Sequence, residues 1–156
     1  MTAIRIERDP AWWAAIAAHP GLAEILGTIL PAAIGAVALQ PNALPMAAEH
    51  GGFIFLRLDA LGFVAELHTL FTPEGWGREA LEAGIQAINA VWLCGFQSIV
   101  TLEVQANRRS RPPVSFGFTR AGDWRDSPIG AVRLWTLSRE AWAQSPGIRR
   151  HKRSCQ

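Results

Sequence analysis

A chain of 156 residues with 49% hydrophobic and 18% charged side chains is the size of one domain and able to bury a sizeable core, which excludes a disordered protein. Its net charge of +2 implies no general attraction to nucleic acid, and much of that basicity sits in Arg149-Arg150-His151-Lys152-Arg153. Without the four Arg and Lys of that run the balance would be −2, with 11 basic against 13 acidic residues.

Two cysteines, Cys94 and Cys155, are too few for a disulfide framework. Cys94, at a helix end, is expected to be a buried and inert thiol. The first residues lack a charged region followed by an apolar one, and the apolar stretch from Ile25 to Leu39 is about fifteen residues, too short to span a bilayer as a helix. A cytoplasmic, reduced setting without a membrane partner is therefore expected.

In chain order, Ile4 and Ile6 alternate with Arg5 and Glu7, which predicts a short half-buried strand over 3–8. Asp9-Pro10 reads as an N-cap with proline at the first helical position, opening a helix that Pro20-Gly21 stops. A second helix is expected from Leu22 to about Leu30, and its continuation past Pro31 suits helix or strand equally. Pro41-Asn42 and Pro45 mark a loop, and Met46 to Glu49 a short strand. Phe53 to Leu58 and Phe63 to Phe71 then read as an antiparallel pair of strands.

Arg78 to Leu93 is an amphipathic helix with Leu81, Ile85, Ile88 and Trp92 on one face, ended by Gly95. Ser98 to Val104 is the next strand. Strand, helix and strand in this order imply a parallel pair with a right-handed crossover. Residues 108–115 carry Pro112-Pro113, which predicts a short or distorted segment. Gly130 to Leu137 is a last strand, with Ser138 opening a helical turn, and 1–146 forms a single domain followed by a basic, disordered tail over 147–156.

The chemistry concentrates at Phe63 to Leu81. A strand meets a helix N-terminus through Thr72-Pro73-Glu74-Gly75-Trp76-Gly77, which aims backbone N–H groups at one spot and suits a phosphate or pyrophosphate. A Gly-x-Gly alone is weak evidence, since it also serves an ordinary tight connection. Here it resembles the Gln/Arg-x-x-Gly-x-Gly/Ala motif of the GNAT-type N-acetyltransferases, with Thr72 in place of Gln or Arg. Asn107-Arg108-Arg109-Ser110 and Phe116-Gly117-Phe118 follow in the order and spacing of that superfamily. The Asn-x-x-Ser before Gly-Phe is closest to the ribosomal-protein-type members, and the compact size would suit a phage or prophage accessory gene.

The resemblance implies an α/β chain with the acyl-CoA N-acyltransferase (GNAT) fold, a mixed, splayed sheet flanked by helices. It implies acetyl-CoA as cosubstrate and a primary amine as acceptor, on a protein N-terminus, a lysine or a small molecule. Leu70, Phe71, Thr72, Glu74, Gly75, Trp76, Gly77, Arg78 and Asn107 would bind the cofactor, and Ser110 would protonate the leaving thiolate, a role that Tyr cannot fill in a chain without tyrosine. Glu66 and His68 lie two residues apart on one strand face and suit a base for the ammonium. They also suit a hydrogen-bonded sheet histidine beside a solvated glutamate. No metal site is expected. The edge near Val132 to Leu137 suits a homodimer contact, and a GNAT-like domain that serves as an interaction or structural protein without catalysis is the second reading.

Overall fold

The structure is a computed structural model that describes residues 2–107 and 110–149. The expected positions Arg108, Arg109 and Cys155, and the basic run after Arg149, lie outside the described residues.

The chain opens with β1 (Arg5–Ile6), shorter than the alternation suggested. The Asp9 carboxylate then accepts from the Ala11 amide at 2.9 Å and caps α1 (Pro10–Ala17), as Asp-Pro predicts. The expected second helix is divided: a 3-10 turn at Pro20–Leu22, α2 (Ala23–Leu26), a break at Gly27, and α3 (Pro31–Ala38). The two pieces meet at 80°, and among the described residues no single helix is long and apolar enough to cross a membrane. The ambiguous stretch past Pro31 is thus helical.

β2 (Ala43–Ala47) and β3 (Gly51–Arg57) follow as a hairpin, and β2 contains Pro45, assigned above to a loop. The Pro45 carbonyl accepts from the Glu7 amide on the β1 side, so the missing N–H also falls on that side and no bond to β3 is lost. β4 (Val64–Phe71), α4 (Arg78–Leu93) and β5 (Ser98–Val104) form the expected strand–helix–strand unit with β4 and β5 parallel. Further on after β5 the described chain makes a 3-10 turn at Val114–Phe116. β6 (Thr119–Ser127), β7 (Gly130–Ser138) and α5 (Arg139–Gln144) complete the order, with Ser138 capping α5 through the Ala141 amide. The packed chain continues past 146, because Ile148 is buried against the core.

The strands form one sheet in the order β1-β2-β3-β4-β5-β7-β6, antiparallel except at β4–β5. The stretch Val132 to Leu137 is therefore not an edge, since β7 lies between β5 and β6. One core sits between the sheet and α4 and α5, built on Phe53, Phe55, Phe71, Trp135 and Trp142. The other lies under α1 to α3 and takes its sheet residues, Ala43, Ala47, Ile54 and Leu70, only from β2, β3 and β4.

The α4 face differs from the expected stripe. Leu81 is 43% exposed, whereas Ala83, Gly84, Ala87, Ile88, Val91 and Trp92 are buried. Small residues win because the facing strands supply large aromatics: a Cβ on Gly84 would lie 3.4 Å from the Phe53 ring and 3.6 Å from Phe116. Cys94, expected to be buried, is exposed at the α4 C-cap.

Candidate active site

β4 and β5 pair over only three residues, Val64 with Ser98, Ala65 with Ile99 and Glu66 with Val100. Both strands continue, β4 to Phe71 and β5 to Val104, without pairing to one another. β4 keeps its full ladder to β3 as far as Phe71, and β5 keeps its ladder to β7 as far as Val104. The sheet therefore opens into a fork whose inner edges carry main-chain N–H and C=O groups with no strand between them. At the apex the Thr101 hydroxyl donates to the Leu67 carbonyl across the gap, at 2.9 Å.

The Thr72 to Gly77 turn lies at the mouth of the fork. Gly75 is buried where a Cβ would come within 2.8 Å of the Phe71 ring and 2.9 Å of His50. Gly77 has φ +87°, which a side chain would resist, and open space where its Cβ would be. It is the N-cap of α4 with no side-chain cap, so the first N–H groups of a 16-residue helix are left for a ligand. These features fit a pyrophosphate held by main chain.

The side chains of the turn are committed elsewhere. The Trp76 indole donates to the Phe71 carbonyl at 2.9 Å and packs against both cores. The Leu70 and Phe71 side chains are buried, one in each core, so these residues offer a ligand their backbone alone. Thr72 is buried, its amide bonded to the His50 carbonyl. Its hydroxyl is the first cause, ahead of the main chain, of a Glu74 carboxyl held below its usual value. Arg78 is 88% exposed on its side chain and bound to Glu82 at 2.7 Å, so no charge of its own is directed at the turn. That pairing, with Thr2 beyond it, lowers the Glu82 carboxyl to about 2.

Glu66 and His68 share the β4 face that looks towards α1 to α3, with Leu70 beyond them. His68 Nε2 lies 3.4 Å from Glu66 Oε1, and the Glu66 carboxyl is held below its ordinary value chiefly by that hydrogen bond, with burial opposing it. Glu66 is thus a carboxylate at neutral pH, and the expected pair is in contact beside the opening of the fork.

Asn107 and Ser110 lie in the loop after β5. The Ser110 hydroxyl makes its contacts with main-chain carbonyls, Asn107 at 2.7 Å and Val104 at 3.1 Å. It holds the loop to the strand end, and its proton is engaged there rather than offered to the fork. Gly117 and Phe118 precede β6 as expected, Gly117 at φ +93° and Phe118 buried.

Three residues near the fork escaped the sequence. Thr101 bridges its apex. Glu103 is only 7% exposed on β5, accepting from the Trp135 indole at 2.6 Å and from Arg133 at 3.4 Å. His50 keeps a side chain 40% exposed and is tied down on one side: its Nδ1 lies 2.8 Å from Glu79 and its amide donates to the same carboxylate at 2.9 Å. The Glu79 hydrogen bond raises the imidazole above its usual value against the effect of burial. Of the three, only His50 carried a signal, a titratable residue beside two glycines at the head of a strand. Among the described residues no three His, Cys, Asp or Glu are placed to hold a metal ion.

No protein-family profile matches the chain and no curated protein matches it. Solved structures do. A putative acetyltransferase, yncA of Salmonella typhimurium with its cofactor acetyl-CoA, is 18% identical over 88% of this chain and 94% of its own, with a TM-score of 0.65. A chimeric spermidine N-acetyltransferase from Vibrio cholerae and hSSAT reaches 0.72 at 13% identity, over 92% and 98%. An aminoglycoside acetyltransferase with coenzyme A reaches 0.69 at 17%, over 92% and 98%. A probable GNAT-family acetyltransferase of Chromobacterium violaceum reaches 0.69 at 14% identity, covering 90% of each chain. The chain has the fold of the GNAT acetyltransferases, with its parting parallel strands and its turn at the mouth between them.

Proposed function

We propose that this chain is an acetyl-CoA-dependent N-acetyltransferase. The observation that carries the reading is the fork: two parallel strands part after Glu66 and Val100, and an uncapped helix N-terminus stands at the opening. A pantetheine arm extended along β4 would meet the fork-facing main-chain groups of residues 67–71 that Thr101 and Trp76 do not already bond, with the pyrophosphate at Gly77 to Glu79. The solved neighbours that carry acetyl-CoA or coenzyme A support the same assignment.

Glu66 and His68 would serve the amine. The Glu66 carboxylate attracts the ammonium, and with His68 Nε2 donating to Glu66, Nδ1 is left as the ring's proton acceptor. The freed lone pair attacks the thioester carbonyl, the nitrogen gives up its second proton to solvent, and the C–S bond breaks to release the thiolate of CoA. Its proton comes from the imidazolium or from solvent, because Ser110 is turned to main-chain carbonyls. Much of the acceleration is positioning.

A second reading is a GNAT-like domain without catalysis that acts as an interaction protein. Thr72 in the first motif position and an Arg78 held by Glu82 favour it. Calorimetric titration with acetyl-CoA separates the two. Micromolar binding, roughly −8 kcal/mol, supports the enzyme, and no heat from folded protein moves the assignment to the interaction domain. The ribosomal-protein-type character rests on Asn107 and Ser110 alone. It predicts acetylation of a peptide N-terminus, read by mass spectrometry.

A further inference from the structure

The two halves of the sheet differ in what covers them. The core under α1 to α3 ends at β4, so the continuation of the Glu66–His68 face across β5, β7 and β6 has no helix from that group packed on it. Strand register fixes what lies there. Glu66 stands opposite Val100, and Val100 opposite Thr136. Further along come Leu102 beside Leu134, then Val104 with Trp124 two strands away. Leu102 is 38% exposed and Trp124 56% exposed.

The charged residues of these strands turn the other way. Glu103 pairs with Arg133, Arg133 with Asp123, and Arg120 with Trp135, which is buried in the α4 core. They are bonded to one another on that side: Arg133 to Glu103 and Asp123, and Arg120 to Asp123. Arg125 and Asp126 belong to the irregular end of the hairpin, where the register shifts. The regular part of this face is therefore apolar or neutral, and the Glu66 carboxylate at its border is the anion available to it.

We propose that this face receives the body of the acceptor, and that the acceptor is a hydrophobic monoamine. The inference rests on the acetyltransferase reading and goes further by naming the amine. One ammonium is matched by Glu66 beside His68, while an alkyl or aryl-alkyl body covers Leu102 and Leu134. A polycation would leave its second and third ammonium groups on an apolar wall with no carboxylate to meet them.

Release of CoA thiol at fixed acetyl-CoA is measured with butylamine, hexylamine, phenethylamine, spermidine and kanamycin. Hexylamine is expected to exceed butylamine roughly tenfold in kcat/KM, two methylenes being buried, with phenethylamine comparable and both polycations below butylamine. Leu102→Glu is expected to flatten the alkyl series and raise spermidine relative to hexylamine. Leu102→Ser gives the same flattening where the glutamate variant does not fold. A flat alkyl series, or spermidine leading in the unaltered protein, overturns this inference while acetyl-CoA binding upholds the enzyme. No acetyl-CoA binding by folded protein overturns both. A dimer in sedimentation that Leu102→Glu dissociates, with the order of amines unmoved, assigns the face to a second copy of this chain and overturns it as well.

Discussion

Gly77 and Gly75 are required for different reasons, and substitution should separate them. At Gly77 the demand is conformational, φ +87° with no neighbour near the missing Cβ. Gly77→Ala is expected to cost about 1–3 kcal/mol of stability through backbone strain, and to weaken acetyl-CoA binding by turning the N–H groups of the turn. At Gly75 the demand is space against Phe71 and His50. Gly75→Ala should displace the turn from β3 and lower the melting temperature and cofactor affinity together. Denaturant unfolding beside calorimetry reads both. Equal affinity in the glycine and alanine forms at 77 would remove this turn from the site.

His50 ties the β2–β3 connection to the first turn of α4 through Glu79, and its carbonyl holds Thr72. Its pKa is raised in the folded chain, first by the Glu79 hydrogen bond. The sign follows: the stabilisation is fully present below the unfolded value of about 6.5 and is lost as pH rises through the higher folded value. His50→Ala should therefore lower the melting temperature more at pH 6 than at pH 9. A deficit of the same size at both values would leave the contact with no ionic component. Glu66 runs the opposite way, its contribution being present above the unfolded carboxyl value and lost as pH falls through the lowered one. Glu66→Gln and His68→Ala should each reduce kcat by about 10²-fold with acetyl-CoA affinity intact, and unaltered kcat in both would leave positioning as the mechanism.

At the scale of elements, the legible parts were those in which local chemistry decides the structure. Asp9-Pro10, Gly77 with the helix after it, and the apolar run Ile99, Val100, Leu102 and Val104 of β5 are local signals, and the structure follows them. The burial of α4 is not local. Hydrophobicity pointed to Leu81, but the strands opposite present Phe53 and Phe55, and the helix approaches them through Ala83, Gly84 and Ala87. β6 was illegible for a related reason: its residues are exposed on both sides, and pairing to β7 alone makes it a strand. At the site, Glu66 with His68 was readable from spacing, whereas Thr101 and Glu103 acquire their roles from strands that are distant in sequence. The α4 packing gives a prediction of its own. A Cβ at Gly84 meets Phe53 at an ordinary 3.4 Å, so Gly84→Ala should be neutral or stabilise by up to about 1 kcal/mol through helix propensity. Gly84→Leu should overpack and destabilise by about 1–3 kcal/mol. Thermal unfolding of the two variants decides whether the close approach is the reason for the glycine.

Across the whole molecule, the fork is the weakest seam of the sheet. Three residue pairs, the Gln97–Phe63 main-chain hydrogen bond before them and the Thr101–Leu67 hydrogen bond beyond them join the β1–β4 half to the β5–β7 half along their shared edge. α4 and its core join them on one face. A cosubstrate lying between the strands would replace the missing ladder and raise the stability of both halves. Ligand at a hundred times its dissociation constant should add about 2.7 kcal/mol. The location of the gain is more diagnostic than its size. Hydrogen exchange with and without acetyl-CoA should slow at the amides of residues 67–72, 77–80 and 101–104, which border the gap or cap α4. Amides of β1 and β2, separated from the seam by β3 and β4, should change only by the global increment. Thr101→Val keeps the shape of the side chain and removes the bridge, so the free protein should exchange faster at the fork while the bound one recovers. Protection that rises elsewhere and leaves the fork unchanged would place the cofactor outside it, and the proposed chemistry of Glu66 and His68 would lose its second reactant.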